Sequence, residues 1–375
     1  MVGVIVAWQL YELTDSAFLL GMIGLVQFVP TALLIFIAGH AADRYDRKRV
    51  VQLCQFGEAL GAVFLAWGSI GGWLTVEEMF AVVLVFGIGT AFSSPASAAL
   101  MTGVSPEGML QKATALATGT FEVATIAGPA LGGLAYGISP GAAYVATAVL
   151  WFFGGLLMRA IQLERPVAAE RPAPTPGAIF AGWTFVRHNP AILGAISLDL
   201  FTVLLGGATT LLPIYARDIL HTDAWGMGVL RAAPSVGALL MTAVLSYYTI
   251  QRKTGMRLFQ AIIVFGLATL VFAVSHLMWL SFLALAIAGA ADTVSMVIRI
   301  ALVQLATPDD MRGRVGAVNF LFVNASYQLG GFESGVTAAL LGAVPSVLIG
   351  GVGTIVVALI WMKLFPPLRD LDRLE

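Results

Sequence analysis

The chain has 375 residues, of which 59% are hydrophobic and 11% charged, and its mean hydropathy is +0.90. Ordinary soluble domains carry about 25% charged residues, so this composition excludes a water-soluble protein and predicts a chain that lies in a lipid bilayer. The net charge of −1 indicates neither an acidic nor a basic partner, and the single cysteine, Cys54, excludes a disulfide framework and a cysteine-based metal site.

The first segment, Met1–Leu13, is apolar but too short to cross a bilayer. At 1.5 Å per residue it reaches about 18 Å, whereas the hydrocarbon core is ~30 Å thick. No basic region precedes it and no small-residue cleavage site follows it, so we do not expect a signal peptide.

Eleven further segments have the roughly 20 residues that a membrane-spanning helix needs. The first five are Phe18–Ala41, Val50–Ile70, Glu78–Met101, Ala113–Gly137 and Gly141–Ile161. The other six are Ala191–Ala216, Trp225–Tyr248, Met256–Ser275, Leu277–Leu305, Gly313–Leu341 and Pro345–Phe365. Together with the short first segment they predict an all-α membrane protein of twelve helices.

A charged, proline-rich stretch separates the two groups of six helices and cannot span a membrane. Four apolar residues that follow it share one helical face, which suits a helix lying in the membrane interface: Ile179, Phe180, Trp183 and Val186. We therefore predict an N-terminal bundle over 1–161, a cytoplasmic linker with an interfacial helix over 162–189, and a C-terminal bundle with a short tail over 190–375.

The basic residues support this helix count. Of the 20 Lys and Arg, all but three fall at connections that the count assigns to the cytoplasm. The exceptions are Arg217 at an outer end and Arg231 and Arg299 inside spans. Because short cytoplasmic loops carry an excess of Lys and Arg, the pattern predicts twelve helices with both ends of the full topology in the cytoplasm.

A dense group of charges joins the second and third helices. Its residues Gly39, Asp43, Arg44, Arg47 and Lys48 follow the pattern Gly-x-x-x-Asp-Arg-x-x-Arg-Lys/Arg. In this pattern and position the chain resembles the major facilitator superfamily, although Asp46 stands where many members have glycine. The resemblance implies that this loop acts as a cytoplasmic latch.

A second motif lies in the fifth helix and consists of Gly128, Pro129, Gly132 and Gly133. By spacing alone, proline and small residues indicate a bent helix packed closely against a neighbour. The order Gly-Pro-x-x-Gly-Gly also resembles the motif typical of antiporters in this superfamily, which favours export over uptake.

Three short segments resemble sequences of the bacterial branch that contains macrolide-efflux and enterobactin-exporter proteins: Trp8–Thr14, Leu230–Pro234 and Gly331–Gly335. The resemblance implies the major facilitator fold of two six-helix bundles, with helix 1 truncated because the first segment matches only its outer half. It also implies proton-coupled export of an amphiphilic small molecule, such as a drug or siderophore, by alternating access.

Seven ionisable residues lie inside predicted spans: Glu58, Glu122, Asp199, Arg231, Asp292, Arg299 and Glu333. A charge at mid-membrane costs roughly 2.5–3.5 kcal/mol, so such residues are usually paired or functional. If each arginine neutralises one acid, three carboxylates remain without a basic partner. We expect some of them to be protonated, which is what proton coupling requires.

Depth and helix position rank these candidates. Glu122 and Asp199 lie about 13–15 Å deep, near the midplane, and the resemblance places Asp199 and Asp292 on cavity-lining helices. Asp292 and Arg299 share one helical face, so a pair between them is an alternative to a transport role, as a helix-locking pair is for Asp199. Arg231 and Glu333 lie toward the outer side, where we expect them to form or release a gate.

Several classes of function are not supported. The chain has no phosphate-binding Gly-x-x-x-x-Gly-Lys-Ser/Thr and no His-Glu-x-x-His, so we expect no enzyme activity, no cofactor, no metal and no nucleic-acid partner. The expected partners are a small molecule, protons and membrane lipid, for a monomer in a bacterial inner membrane. The alternatives are a proton-coupled importer of the same fold, a membrane enzyme or sensor, and a chain that its short first helix makes inactive.

Overall fold

The structure is a computed structural model that describes residues 1–104, 109–161, 183–248, 252–308 and 311–372. Within these ranges the chain is helical and no residue lies in a β-strand. The first six long helices are α1 (Val2–Thr14), α2 (Ala17–Arg44), α3 (Arg47–Gly71), α4 (Val76–Val104), α5 (Leu110–Ile138) and α6 (Pro140–Ala160). The last six begin with α7 (Pro190–Leu205) and continue with α8 (Ala224–Tyr247), α9 (Thr254–Ala273), α10 (Met278–Leu305), α11 (Arg312–Leu341) and α12 (Ala343–Leu364).

Local sequence signals set many of these boundaries. Thr75 and Glu78 form a capping box at the start of α4, in which each side chain accepts a hydrogen bond from the other residue's N–H. Ser139 caps α6 by accepting from the Ala142 N–H at 3.0 Å, and Pro140 follows at the first helical position. The helix ends predicted from hydropathy therefore agree with the structure to within a few residues.

Ten helices of the described chain are long and apolar enough to cross a membrane. The remaining two are α1, with 13 residues, and α11, which has 30 residues but carries several polar side chains. The all-α membrane fold expected from composition is thus the fold that the chain adopts.

One predicted span is not a continuous α-helix. After Leu205, α7 continues as a 3₁₀ segment (Gly207–Leu211), one short α turn and a π-helical segment (Tyr215–Ile219). Gly206 and Gly207 loosen the backbone at this point, and Pro213 lacks the N–H that a regular helix needs. The predicted span Ala191–Ala216 thus lies within the apolar span Pro190–Ile219, and the break inside it was not predicted.

The helices group into two compact units. Unit 1 contains Met1–Asp15, the described residues from 23 to 161, and Asp223–Gly228. Unit 2 contains Ser16–Met22, the described residues from 183 to 222, and those from 229 onward. Within unit 1, α3 packs mainly on α6 and α4; within unit 2, α9 packs mainly on α12 and α10. Each unit thus repeats the same neighbour pattern, six helices apart.

A short helical segment at 183–188 precedes α7 and packs into unit 2. Val186 is fully buried beside Ile192 of α7, and the Trp183 ring stacks on Phe322 of α11 with centroids 5.6 Å apart. The sequence predicted contact with the membrane interface, but Val186 is a core residue. Of the same predicted face, Ile179 and Phe180 lie outside the described residues.

Candidate functional site

Three charged side chains meet inside unit 2. Arg299 on α10 forms an ion pair with Asp199 on α7, and its Nη2 lies 3.8 Å from Oδ1 of Asp292, also on α10. Its Nε donates to the backbone carbonyl of Ser295 at 3.3 Å. The side chains of Asp199 and Arg299 are only 9% and 12% exposed, whereas Asp292 is 35% exposed. One arginine therefore serves two carboxylates unequally.

This group, which we call the acid–arginine triad, borders a cavity of about 330 Å³. α7, α10 and α11 supply its walls. Besides the triad, the polar lining consists of Asn319 and Tyr327 from α11, and the rest is mainly apolar, including Ile196, Met296 and Val323. The cavity is thus mainly apolar, and each of its three helices contributes polar side chains.

A second, smaller cavity of about 170 Å³ lies at the break in α7. Residues of the break line it together with threonines of α7 and α9 and with Pro234 of α8. Asp292 and Tyr327 line both cavities. The carboxylate of Asp292 is therefore accessible from either space.

Among the described residues, Arg231 has a backbone partner and no acidic one. Its Nη1 donates to the backbone carbonyl of Thr209 at 2.8 Å. In a regular α-helix that carbonyl would accept from the residue four positions later, which is Pro213 and has no N–H. Arg231 on α8 thus replaces the hydrogen bond that Pro213 removes from the broken part of α7.

Glu333 forms its hydrogen bonds with residues other than Arg231. It accepts from the hydroxyl of Thr337 at 2.8 Å on the same helix. In the described part of unit 2, Arg231 and Glu333 form no ion pair. In this structure a backbone acceptor and a local hydroxyl are their partners, and the gate role stays a prediction.

We expect replacement of Arg231 by methionine to destabilise the protein by about 1 kcal/mol, since the Thr209 carbonyl loses its charged donor. Thermal unfolding in detergent would measure the loss. Arg257→Met on α9 removes an exposed arginine of the same size and serves as the control. Equal effects of Arg231→Met and Glu333→Gln would instead support the gate pair.

In unit 1 the predicted acids are isolated. Glu58 on α3 is buried against Gly89 of α4, where an added Cβ would lie 2.8 Å from the Glu58 carboxylate. Glu122 on α5 is half-buried. Within the described chain neither has a salt bridge to Lys or Arg. Among the described residues, Arg299 contacts two acids and Arg231 a backbone carbonyl, so the arginines are distributed differently from the one-to-one pairing assumed in the sequence count.

Sequence reasoning missed a polar network around Glu12 of α1. Its carboxylate accepts from Trp8 Nε1 at 2.6 Å and from the hydroxyl of Tyr136 on α5. One turn earlier, Gln9 donates to Ser69 of α3 at 2.8 Å and accepts from Tyr144 of α6 at 2.7 Å. The network joins α1 to three helices. The sequence signal for it was the presence of Gln9 and Glu12, three residues apart, in a short apolar helix.

The antiporter-like motif is a close-packing surface within unit 1. A Cβ on Gly133 would lie 2.3 Å from the carbonyl oxygen of Ala224, and one on Gly132 would lie 3.2 Å from Met1. Conversely, a Cβ on Gly228 would lie 2.5 Å from the carbonyl oxygen of Pro129. Gly128 likewise approaches the start of α1. These contacts agree with the packing interpretation, and the resemblance to antiporters stays a prediction.

The predicted cytoplasmic motif spans the turn between α2 and α3. Asp46 caps α3 by accepting from the Lys48 N–H at 3.0 Å, with φ −59°, so the turn does not require glycine there. The ammonium of Lys48 donates to the carbonyl of Ile161 at the end of α6. Arg44 is exposed. The surroundings of Gly39 and the side chain of Asp43 lie outside the described part of the structure. The latch role stays a prediction.

Comparison with known proteins identifies the family. A family model described as Major Facilitator Superfamily matches residues 1–331. The enterobactin exporter EntS of Citrobacter koseri is 24% identical over 386 residues, which cover 98% of this chain and 88% of that protein. The Na(+), Li(+), K(+)/H(+) antiporter of Planococcus maritimus is 24% identical over 324 residues, which cover 79% and 76%.

Solved structures show the same fold. A bacterial homolog to the human lysosomal transporter Spinster has a TM-score of 0.75 at 14% identity, covering 98% of this chain and 93% of its own. The nucleoside transporter NupG has a TM-score of 0.68 at 16% identity, covering 97% of each chain. At such identities the likeness concerns the fold alone.

Proposed function

We propose, from the premise that this chain belongs to the Major Facilitator Superfamily and is a multi-pass membrane transporter, that it exports an amphiphilic small molecule in exchange for protons. Its membrane would be the bacterial inner membrane, with both ends of the full topology in the cytoplasm. Alternating access around a midplane site is the general mode of such transporters.

The acid–arginine triad is the observation that carries this proposal. With both acids ionised, Asp199 and Asp292 contribute two negative charges and Arg299 one positive charge, so one negative charge is in excess. A single proton would neutralise the site, and an uncompensated charge in a membrane is costly. The 3.8 Å contact leaves Asp292 as the acid less satisfied by Arg299.

The larger cavity supports the amphiphilic character of the substrate. Its volume of about 330 Å³ lies at the lower end of the roughly 300–1,000 Å³ typical of small-molecule sites. Mainly apolar walls with a few polar and charged side chains would hold a molecule that has an apolar body and a polar group.

Two relatives favour export and antiport, since one is named an enterobactin exporter and the other a cation/proton antiporter. The rival function is import by proton symport, for which a structural neighbour, a D-xylose-proton symporter, provides a precedent on the same fold. The direction of coupled movement separates the two.

We expect inside-out membrane vesicles with an acidic interior to lose their proton gradient when an exported amphiphile is added outside. The protein would carry the compound inward and release protons, which an acridine dye reports as recovery of its fluorescence. A panel of lipophilic dyes and catecholate compounds would be screened in a host that lacks its own pumps. A symporter would give no recovery on addition from this side.

Variants test where the proton binds. Asp199→Asn and Asp292→Asn should each abolish the recovery while the protein still reaches the membrane, whereas Asp370→Asn, at an exposed acid of the C-terminal tail, should retain it. Glu122→Gln tests the second candidate acid, in unit 1. Normal coupling in both aspartate variants would contradict the proposal and leave Asp199 as a helix-locking partner of Arg299.

A further inference from the structure

The small cavity at the break in α7 is lined by four threonines, Asp292 and Tyr327 among otherwise apolar residues and glycines. Thr202 and Thr269 line it with buried side chains, and Asp292 supplies a carboxylate. Neither lysine nor arginine is among its lining residues. A space of this kind favours a ligand that carries positive charge.

The two threonine hydroxyls have already used their protons. Thr202 Oγ1 donates to the carbonyl of Leu198 at 2.7 Å, and Thr269 Oγ1 donates to the carbonyl of Phe265 at 2.9 Å. A hydroxyl has one proton and two lone pairs. Both oxygens are therefore left with lone pairs only, which can accept a hydrogen bond or coordinate a cation.

The backbone hydrogen bonding of α7 changes among the residues that line this cavity. The N–H groups of Gly206 and Ala208 donate to the carbonyls of Val203 and Gly206, at 3.1 and 2.8 Å. In a continuous α-helix they would donate to residues 202 and 204 instead. Unwound carbonyls in broken membrane helices are a known means of coordinating monovalent cations.

The charged groups around Asp292 leave its carboxylate available to bind a cation. Arg299 pairs with Asp199 and reaches Asp292 only at 3.8 Å. Tyr327 of α11 lines the same cavity with its phenol ring. The exposed Arg231 of α8 donates a hydrogen bond to the Thr209 carbonyl. The triad thus has one negative charge in excess, which a monovalent ion would balance and a divalent ion would overcompensate.

The volume of this cavity suits an ion better than an amphiphilic molecule. The cavity holds about 170 Å³, which is below the roughly 300 Å³ at which small-molecule sites begin. A water molecule occupies about 30 Å³, so an ion with a few waters fits. The described residues contain no group of three or more His, Cys, Asp or Glu that could hold a metal, and hard oxygen ligands suit an alkali cation rather than a transition metal.

We infer that this cavity binds a monovalent alkali cation through Asp292, Thr202 and Thr269. The cation and the coupling proton compete for the carboxylate of Asp292, so the inference rests in that respect on the proposed function. A protonated carboxyl is neutral and binds the cation weakly. Lowering the pH therefore raises the cation concentration needed for half-saturation.

The test is an equilibrium measurement on the purified full chain, without a gradient or substrate. Thermal unfolding would be followed at alkaline pH while NaCl, LiCl or KCl replaces choline chloride at constant ionic strength. We expect at least one alkali ion to raise the unfolding temperature saturably. Absence of any difference from choline would overturn the inference.

Conservative variants locate the binding. Thr202→Val with Thr269→Val keeps the volume and removes two oxygens, and we expect about a tenfold rise in the half-saturating concentration, equivalent to 1.4 kcal/mol. Thr293→Val is the matched control, because this buried threonine of α10 donates to Gly289 and does not line the cavity. Asp292→Asn should abolish the response.

The outcome is separable from that of the transport assay. Stabilisation by alkali ions that persists in Asp292→Asn, or that the threonine pair and its control change equally, would contradict this site even if proton-coupled export is found. A cation response without export would leave the site standing and remove the proposed function.

Discussion

Replacing Arg299 by methionine is expected to destabilise the protein by roughly 3–5 kcal/mol, the cost of leaving a buried charge without its partner. Asp199 is 9% exposed at its side chain and pairs with this arginine, and Asp292 would lose its only nearby cation within the described part of unit 2. Two carboxylates would then repel each other in an enclosed space. Denaturant or thermal unfolding in detergent would measure the loss.

A second substitution distinguishes charge imbalance from lost packing. Asp199→Asn combined with Arg299→Met removes one charge of each sign, and we expect it to recover most of the stability, since a buried pair can often be replaced by neutral groups at little cost. Both proteins should lack proton-coupled transport.

The control for charge removal lies outside the membrane. Arg369 donates to Asp370 through Nε at 2.7 Å, and this hydrogen bond holds the pKa of Asp370 below its usual range. Both groups are solvent-exposed, so Arg369→Met should change stability little. If Arg299→Met has an equally small effect, the triad does not hold α7 and α10 together.

The sequence predicted the helices well because one physical quantity, the length of apolar chain that a bilayer requires, determines them. Gly141–Ile161 was expected and Pro140–Ala160 is found; Trp225–Tyr248 was expected and Ala224–Tyr247 is found. Ser139 and Pro140 set the start of α6 through contacts within one helical turn. Such local rules need no knowledge of the neighbouring helices.

The candidate site was predicted in part. Asp199, Asp292 and Arg299 were recognised because charges in spans are costly, but their pairing was not determined by the sequence. The Asp292–Arg299 spacing favoured a pair on one helix, whereas the closer partner of Arg299 is Asp199, on another. Which helix lies opposite is decided by packing over long sequence separations.

The hydrogen bond from Arg231 to a backbone carbonyl was not predicted, for a related reason. A backbone carbonyl can accept from arginine as well as a carboxylate can, yet it has no signature in the sequence unless the helix is known to be broken. Pro213 and the Gly206–Gly207 pair were the available signs of that break. They lie within a long apolar run, which predicted the span but not the break inside it.

The second large effect is expected at the crossing of α8 and α10, where Gly237→Ala should destabilise the protein by about 3 kcal/mol, at the upper end of the usual cost of overpacking. A Cβ on Gly237 would lie 1.8 Å from the carbonyl oxygen of Ala286, and one on Gly289 would lie 2.0 Å from that of Pro234. Backbone atoms cannot rotate away as side chains do, so the helices must separate.

That separation would displace α10, which carries Asp292 and Arg299, and we therefore expect Gly237→Ala to lose transport as well as stability. Gly57→Ala in α3 is the matched control, since a Cβ there meets nothing within 4 Å. Alanine is favoured over glycine in a helix by about 0.5–1 kcal/mol, so this variant should be slightly more stable. Thermal unfolding and the vesicle assay on both proteins would decide the matter, and equal stability of the two variants would show that the close α8–α10 contact does not constrain the triad.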